Sequence, residues 1–561
     1  MNRAAPTDTR TTRPAVPAFL RGRWRVFFVS WLLLTGLMSI WAITTPVSGS
    51  PDEPAHMVKA ASVVRGQFIG ENSPSGHQVQ VPAYIGETTD KRTCFAFQNK
   101  VSATCQPAPA AESNATVTAP TTAGLYNPVY YLLVGWPTLI FTDTTGIYAM
   151  RIVSVALTSL FMAFAISCAA TWRVRRYAMM GVLIGATPVF LFLGAAVNPN
   201  AVEASSLFAV FVGMLTIITQ RTTPPSVLME RGIAVAIAGM IGVNTRGLSA
   251  LWLAIAVLAP LILLSGAQLL ELIRKRIVII TAILVALGSA FAILWLLSSN
   301  VLGAGIDDTN LDRKYPLYGQ PWWMGFRILI MGFFDYSKGI VGLFGWLDTP
   351  APEPVYFLWA TLTGGVFILA MAVLRGRKLI MATTLTALFI LLPAIIQGMY
   401  ITGGGLIWQG RYNLPLFMML FFTLTVGAGE YLQRAPAYAQ KRASVIVVIA
   451  LGLAHLYAFT EVLRRFTTGL DTGWPQALRY PEWKPPLGTI PGLGIIPIIC
   501  TYALALAVTL WFCLRIMRTR PTETVTPEVA DADTVDTEAP ADAALEPAHA
   551  TSEPNATPTP H

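Results

Sequence analysis

The segment Ser50-Pro51-Asp52-Glu53-Pro54-Ala55-His56, with Lys59 just beyond it, brings two carboxylates, an imidazole and an amine together at the end of a long apolar run. Charge beside hydrocarbon is expensive, so such a group at a bilayer surface asks for a function. Asp52, His56 and Lys59 are spaced four and then three residues apart, a spacing that puts them on one face of a helix. A carboxylate and an imidazole facing the same way can accept a proton from a hydroxyl, and an amine beside them can hold an anion. Asp52, Glu53 and His56 are therefore the candidate catalytic residues and Lys59 a candidate substrate ligand. A helix cap is the plainer explanation, with Ser50 or Asp52 as the cap, Pro51 and Pro54 in the first turn and acids at the positive end of the dipole. It accounts for the residue types but leaves His56 and Lys59 unexplained.

Arg246, in Gly242-Val243-Asn244-Thr245-Arg246-Gly247, and Arg411, in Gln409-Gly410-Arg411-Tyr412, lie at the ends of apolar segments. Their forked donors suit a phosphate, and snorkelling to lipid headgroups is the alternative. Trp346 and Asp348, with Trp322, Trp323 and Trp408, supply aromatic platforms and a carboxylate for a sugar, although interfacial anchoring is the commoner role of tryptophan in membranes. Glu203, after the turn Asn198-Pro199-Asn200, is either a metal or substrate ligand or a cap and packing residue.

These residues need a frame. The chain has 561 residues, of which 54% are hydrophobic and 12% charged, and its mean hydropathy is +0.56. That excludes an ordinary soluble globule and implies an all-α polytopic membrane protein. About twelve spans are expected, near residues 25–45, 148–170, 177–197, 201–219, 232–247, 248–266, 277–297, 355–374, 379–400, 412–432, 443–463 and 495–516, most of them close to the roughly 20 residues that cross a bilayer. The stretch 232–266 is short for two spans and is interrupted at Asn244-Thr245-Arg246-Gly247.

Basic residues at Arg21 to Arg25, Arg173 to Arg176, Arg274 to Arg276, Arg375 to Lys378, Arg434 to Arg442 and Arg515 to Arg520 fall in alternate loops. By the positive-inside rule both termini are then cytoplasmic, and the large loop 46–147 lies outside. The expected domains are a basic N-terminus 1–24, a membrane domain 25–517 and a disordered acidic tail 518–561. The segment from Tyr126 to Phe141, with Pro128 and Pro137, is expected to be an interfacial helix. The first apolar run lacks a small-residue cleavage pattern and is expected to act as a signal anchor. Cys168, Cys500 and Cys513 lie inside spans, whereas Cys94 and Cys105 sit together in the first outer loop. A bridge between them would contribute roughly 3 kcal/mol to local order in a chain-entropy model, and two free thiols are the alternative. Inner basic loops account for the net charge of +9, so no nucleic-acid partner is required.

The chain contains no phosphate-binding Gly-x-x-x-x-Gly-Lys-Ser/Thr loop, no dinucleotide fingerprint and no His-Glu-x-x-His zinc helix. Pro51-Asp52-Glu53-Pro54-Ala55-His56, Tyr126-Asn127-Pro128-Val129-Tyr130-Tyr131, Gly345-Trp346-Leu347-Asp348-Thr349-Pro350 and Gln409-Gly410-Arg411-Tyr412 together resemble the bacterial membrane family called domain of unknown function 2142. More distantly, that family is similar to the polytopic glycosyltransferases of the C superfamily. The resemblance implies a C-superfamily fold, a polyprenyl-phosphate-linked sugar as donor, a cell-envelope acceptor and an inverting transfer, with the acidic motif falling on Asp52 and Glu53. It also points to Tyr126, Trp346 and Asp348 as substrate contacts. The superfamily often carries another acid in the second outer loop, where this chain has Asn198-Pro199-Asn200. A divalent cation is therefore left open. A transporter or flippase of a lipid-linked glycan is the alternative, although transport favours ionisable groups at mid-span and repeat symmetry.

Overall fold

Residues 22–73, 76–107, 113–221, 223–299 and 316–518 are described by the computed structural model. The acidic tail and most of the basic N-terminus expected from the sequence lie outside the described residues. In hydrocarbon every backbone donor and acceptor must be met within the chain, which leaves helix as the solution for each apolar run. From its start to the first long span pair the chain forms α1 (Arg23–Thr44), α2 (Glu53–Val63), α3 (Ala83–Gly86), α4 (Pro128–Gly135) and α5 (Thr145–Ala170). It continues through α6 (Arg175–Gly185), α7 (Pro188–Gly194), α8 (Pro199–Thr219), α9 (Pro225–Val243), α10 (Ser249–Leu261), α11 (Gly266–Arg274) and α12 (Arg276–Ser299). The remainder comprises α13 (Trp322–Met331), α14 (Phe333–Val341), α15 (Glu353–Val373), α16 (Gly376–Gly404), α17 (Leu414–Leu432), α18 (Ala437–Thr468), α19 (Trp474–Arg479) and α20 (Ile496–Arg518).

Among the described residues ten helices are long and apolar enough to cross a membrane, and the number reaches twelve when the bent pairs α6/α7 (66°) and α10/α11 (118°) each count as one span. That upper count equals the sequence expectation. α8 and α17 are buried along most of their length, whereas α12 and α15 are largely open to the surroundings. A helix that is apolar all round must be covered by protein or by lipid, and these four divide between the two covers. The interruption at 232–266 resolves into α9 and α10. Asn244 holds the turn between them: its amide donates to the carbonyls of Met240 (2.8 Å) and Gly288 (3.1 Å) and accepts from Asn127 (2.7 Å).

The first connection is not wholly helical. β1 (Glu71–Ser73), β2 (Gly76–Pro82) and β3 (Thr116–Thr121) form an antiparallel sheet in the order β1-β2-β3, paired from His77 with Thr121 to Pro82 with Thr116. Val79 and Val81 turn inward while Gln78 and Gln80 face out, the period of two that a strand imposes. A second, two-stranded pairing joins β4 (Leu343–Phe344) to β5 (Thr349–Pro350). α4 is a short helix with Leu132, Leu133 and Trp136 exposed at or beside it, as an interfacial element requires.

Cys94 and Cys105 form a disulfide with Cα atoms 6.1 Å apart, and Cys168, Cys500 and Cys513 are free. The closed loop is docked by Arg465 of α18, which donates to the carbonyls of Val101 (2.6 Å) and Phe95 (2.8 Å). Mass spectrometry of non-reduced protein should therefore recover a peptide pair linked through Cys94 and Cys105. Alkylation of both thiols without reductant would contradict it.

A candidate active site at the start of α2

Asp52 stands at the N-cap of α2 with φ 62°, a left-handed conformation that short polar residues tolerate. It makes no side-chain capping bond, so the cap explanation fails for the carboxylate itself. One carboxylate oxygen instead accepts from Arg411 Nη2 at 2.5 Å. The Asp52 side chain is 52% exposed and that of Arg411 3%: the acid is half open and the base it pairs with is buried. Burial acts to raise the Asp52 carboxyl, but Arg411, with His56 and Arg246 adding, outweighs it and holds the group below the usual carboxylate range.

The chain reaches Arg411 through a constrained turn. Gln397, fully buried near the end of α16, donates to Gly405 O (2.8 Å) and accepts from the amides of Ile407 (3.0 Å) and Trp408 (2.8 Å). α14 then crosses so closely that a Cβ on Gly410 would lie 2.0 Å from the Tyr336 carbonyl oxygen. Only glycine fits there, which explains the Gly410-Arg411 pair in the motif. Gly410→Ala should displace Arg411 and lower folding yield, a change readable by size-exclusion chromatography; a wild-type profile and stability would argue against the close approach.

Tyr412 links the two arginines, its ring centre lying 5.5 Å from the Arg411 guanidinium and 4.4 Å from that of Arg246. Both are within cation–π reach. Arg246, 18% exposed in its side chain, also bonds Asn200 and lies 3.7 Å from Glu203, whose other oxygen accepts from Ser249 at 2.5 Å. Glu203 is thus the buried counter-ion of Arg246. Asn198 shapes this turn, donating to the Pro51 carbonyl at 3.0 Å and accepting from the Asn200 amide at 3.0 Å.

His56 completes the cluster on the α2 side. Its Nδ1 lies 2.8 Å from the Tyr131 hydroxyl, and its ring is 5.8 Å from that of Tyr126. Burial pushes the imidazole down to about 3, with Arg246 and Arg411 adding and Asp52 opposing, so it is neutral near pH 7. The folded value lies below that of a free histidine. The unfolded chain therefore binds the extra proton between about pH 6.5 and 3, and stability falls as pH drops through that window. His56→Gln should flatten this acid limb; an unchanged pH dependence of unfolding would contradict the assignment.

Other expected site residues go elsewhere. Glu53 turns away from Asp52 to pair with Arg151 at 2.7 Å, both side chains 0% exposed. The Lys59 amine donates to the carbonyls of Phe68 and Gly124, and burial lowers it to about 7. It serves the loop rather than the cluster. Asp348 pairs with Arg465 at 2.9 Å and accepts from Thr349 (2.9 Å), while the Trp346 indole donates to Ser48 O (2.9 Å). These two residues pin the connection after α14 onto the disulfide loop and the approach to Asp52. Among the described residues no group of three or more His, Cys, Asp or Glu side chains is placed to hold a metal ion.

Tyr131, Tyr412, Arg151 and Arg465 were not picked from the sequence. Arg151 had a signal, since a charge inside an apolar run marks a buried partner. The tyrosines had none beyond lying in the motifs.

Tyr126 and Arg246 share a small pocket with Val243, Ala250, Ala292 and Leu296, residues of the α9–α10 turn, α10 and α12. Trp295 borders it, with its indole donating to Leu125 O at 2.9 Å. The pocket wall is thus mostly apolar, and among the described residues Arg246 is its one cation.

Ten to twelve membrane-length helical spans among the described residues, with an ion-paired acid–arginine cluster where their connections meet, define a polytopic membrane protein. Residues 34–420 match the family described as "Predicted membrane protein (DUF2142)", and the chain belongs to that family. No curated protein sequence matches it. Of solved structures, ArnT from Cupriavidus metallidurans bound to undecaprenyl phosphate is similar at 13% identity and TM-score 0.42, covering 87% of this chain and 76% of that one. The apo state of the same protein gives 13% identity and TM-score 0.40, with 88% and 76% covered.

Proposed function

We propose that this protein is a membrane glycosyltransferase of the bacterial plasma membrane, moving a sugar from a polyprenyl-phosphate donor to a cell-envelope acceptor on the outer face. The observation that carries the proposal is the half-open Asp52 carboxylate with Arg411 and Arg246 around Tyr412, Arg246 also lining a mostly apolar pocket. A donor with a hydrocarbon tail and a charged head matches a pair of arginines set beside apolar side chains. The phosphate sits at Arg246 and Arg411, which share Tyr412, and the start of the tail meets the apolar wall at Ala250, Ala292 and Leu296. Asp52 has one oxygen committed to Arg411 and takes the acceptor's proton as general base, while the arginines stabilise charge on the departing phosphate. A single displacement inverts the anomeric carbon. His56, beside Asp52, orients the acceptor, and Tyr126 meets the donor at the pocket it lines. Glu53, Trp346 and Asp348 support the site from behind it.

Glycan analysis of the cell envelope in a deletion strain complemented with wild type or Asp52→Asn tests the proposal. Loss of one sugar, restored only by wild type, is expected; an unchanged glycan, or movement of a lipid-linked glycan without transfer, would overturn it. Sidedness is a separate expectation, because the basic loops and the cluster occupy opposite ends of the spans. Cysteines introduced near Asp52 and Asp471 should react with an impermeant reagent in whole cells, and those near Arg175 and Arg377 should not. The reverse pattern would place the site in the cytoplasm.

A further inference from the structure

We propose that Arg411 is a shared counter-ion, held by Asp52 at rest and passed to the departing phosphate as the sugar moves. The proposal rests on the donor class inferred above. Arg411 is almost fully buried, yet among the described residues its Nε and Nη1 have no hydrogen-bond partner. Asp52 supplies the one side-chain hydrogen bond its guanidinium makes. Arg246 differs, because Asn200 and Glu203 already engage it. Of the two cations around Tyr412, Arg411 is therefore the one whose compensation depends on a single, half-exposed acid.

The charge balance of the transfer fits this arrangement. The acceptor oxygen forms a bond to the anomeric carbon, and the bond from that carbon to the phosphate oxygen breaks with its electron pair leaving on the phosphate. The acceptor's proton goes to Asp52. The donor phosphate is a diester with one negative charge, and the released monoester gains a second; Asp52 loses one charge in the same step. Total charge is unchanged, and negative charge has moved from one side of Arg411 to the other. The remaining groups facing Asp52 do not replace Arg411 in this exchange: His56 is neutral, Tyr126 and Tyr131 are phenols, and Arg246 keeps Glu203. The same competition makes Asp52 a stronger base when an anion draws Arg411 away, so that the base is activated only with donor in place.

Binding of a polyprenyl monophosphate, the leaving group itself, tests this without any transfer reaction. Calorimetry of undecaprenyl phosphate with the full-length protein in detergent, at pH 7.5 in two buffers of different ionisation enthalpy, reads both affinity and proton uptake. Wild type should bind with net uptake of a proton. Asp52→Asn should bind about tenfold tighter with no uptake, an ordinary size for coupling between two sites. Arg411→Ala should bind weakly and also lose the uptake, which gives a second reading if the asparagine variant folds poorly. No uptake by wild type, or equal affinity for wild type and Asp52→Asn, overturns the shared counter-ion and leaves the donor class standing. No binding to either protein overturns the donor class and the exchange with it.

Discussion

Purified Asp52→Asn protein is expected to transfer sugar about 100-fold more slowly than wild type or worse, the scale of a lost general base, while inserting and folding normally. Asparagine suits the left-handed backbone at this position and keeps an oxygen for Arg411, so neither the φ of 62° nor the start of α2 need change. What it lacks is the capacity to take a proton. Arg411→Ala should act differently, weakening donor binding as well as turnover, because its charge meets the phosphate before and during cleavage. It also leaves Asp52 without its closest cation. The contrast separates a base from an electrostatic ligand: the asparagine variant loses kcat with donor affinity kept or improved, and the alanine variant loses both. Full transfer by correctly folded Asp52→Asn would remove Asp52 from the chemistry and shift attention to His56.

The spans were legible because apolar runs of membrane length leave the backbone no choice but helix. Even the interruption at 244–247 marked a real turn between α9 and α10. The sheet in the first connection was not legible. Its strands are short, and an inward set of Val79, Val81 and Ala119 is too brief a pattern to stand out beside twelve spans. In the site, helix-face arithmetic grouped Asp52 with His56 and Lys59, but spacing gives direction along a helix and not the partner waiting there. Asp52 is outside the helix and follows its left-handed backbone to Arg411, while Glu53, the first helical residue, points to Arg151. Lys59 lies one turn beyond His56, where the carbonyls of Phe68 and Gly124 take up its amine. Trp346 and Asp348 have the residue types of a sugar site and the surroundings of a structural joint. Only the distant partner Arg465, more than a hundred residues on, distinguishes the two.

The largest stability loss should come from the pair behind Asp52. Arg151 of α5 uses its whole fork: Nε and Nη2 donate to the two oxygens of Glu53 at 2.7 Å, and the remaining donors reach the carbonyls of Ala42 (2.9 Å), Thr45 (2.7 Å) and Pro46 (2.7 Å). Glu53 accepts a further bond from the Val197 amide at 3.1 Å. One guanidinium thus joins the end of α1, the start of α2 and the segment before α8, the same connections that position Asp52. Arg151→Ala would leave a fully buried carboxylate unpaired and the carbonyls of Ala42 and Thr45 unmet, a loss of about 3–5 kcal/mol for one partner of a buried ion pair. Arg151→Lys should recover little, since an ammonium cannot reproduce the fork. The double variant Glu53→Gln with Arg151→Met should be more stable than Arg151→Ala, because removing both charges costs less than stranding one. Thermal unfolding in detergent reads this order directly, and a parallel loss of sugar transfer in Arg151→Ala is expected from the displacement of Asp52. Wild-type stability in Arg151→Ala would show that Glu53 finds another partner, and with it that the start of α2 is not held from behind.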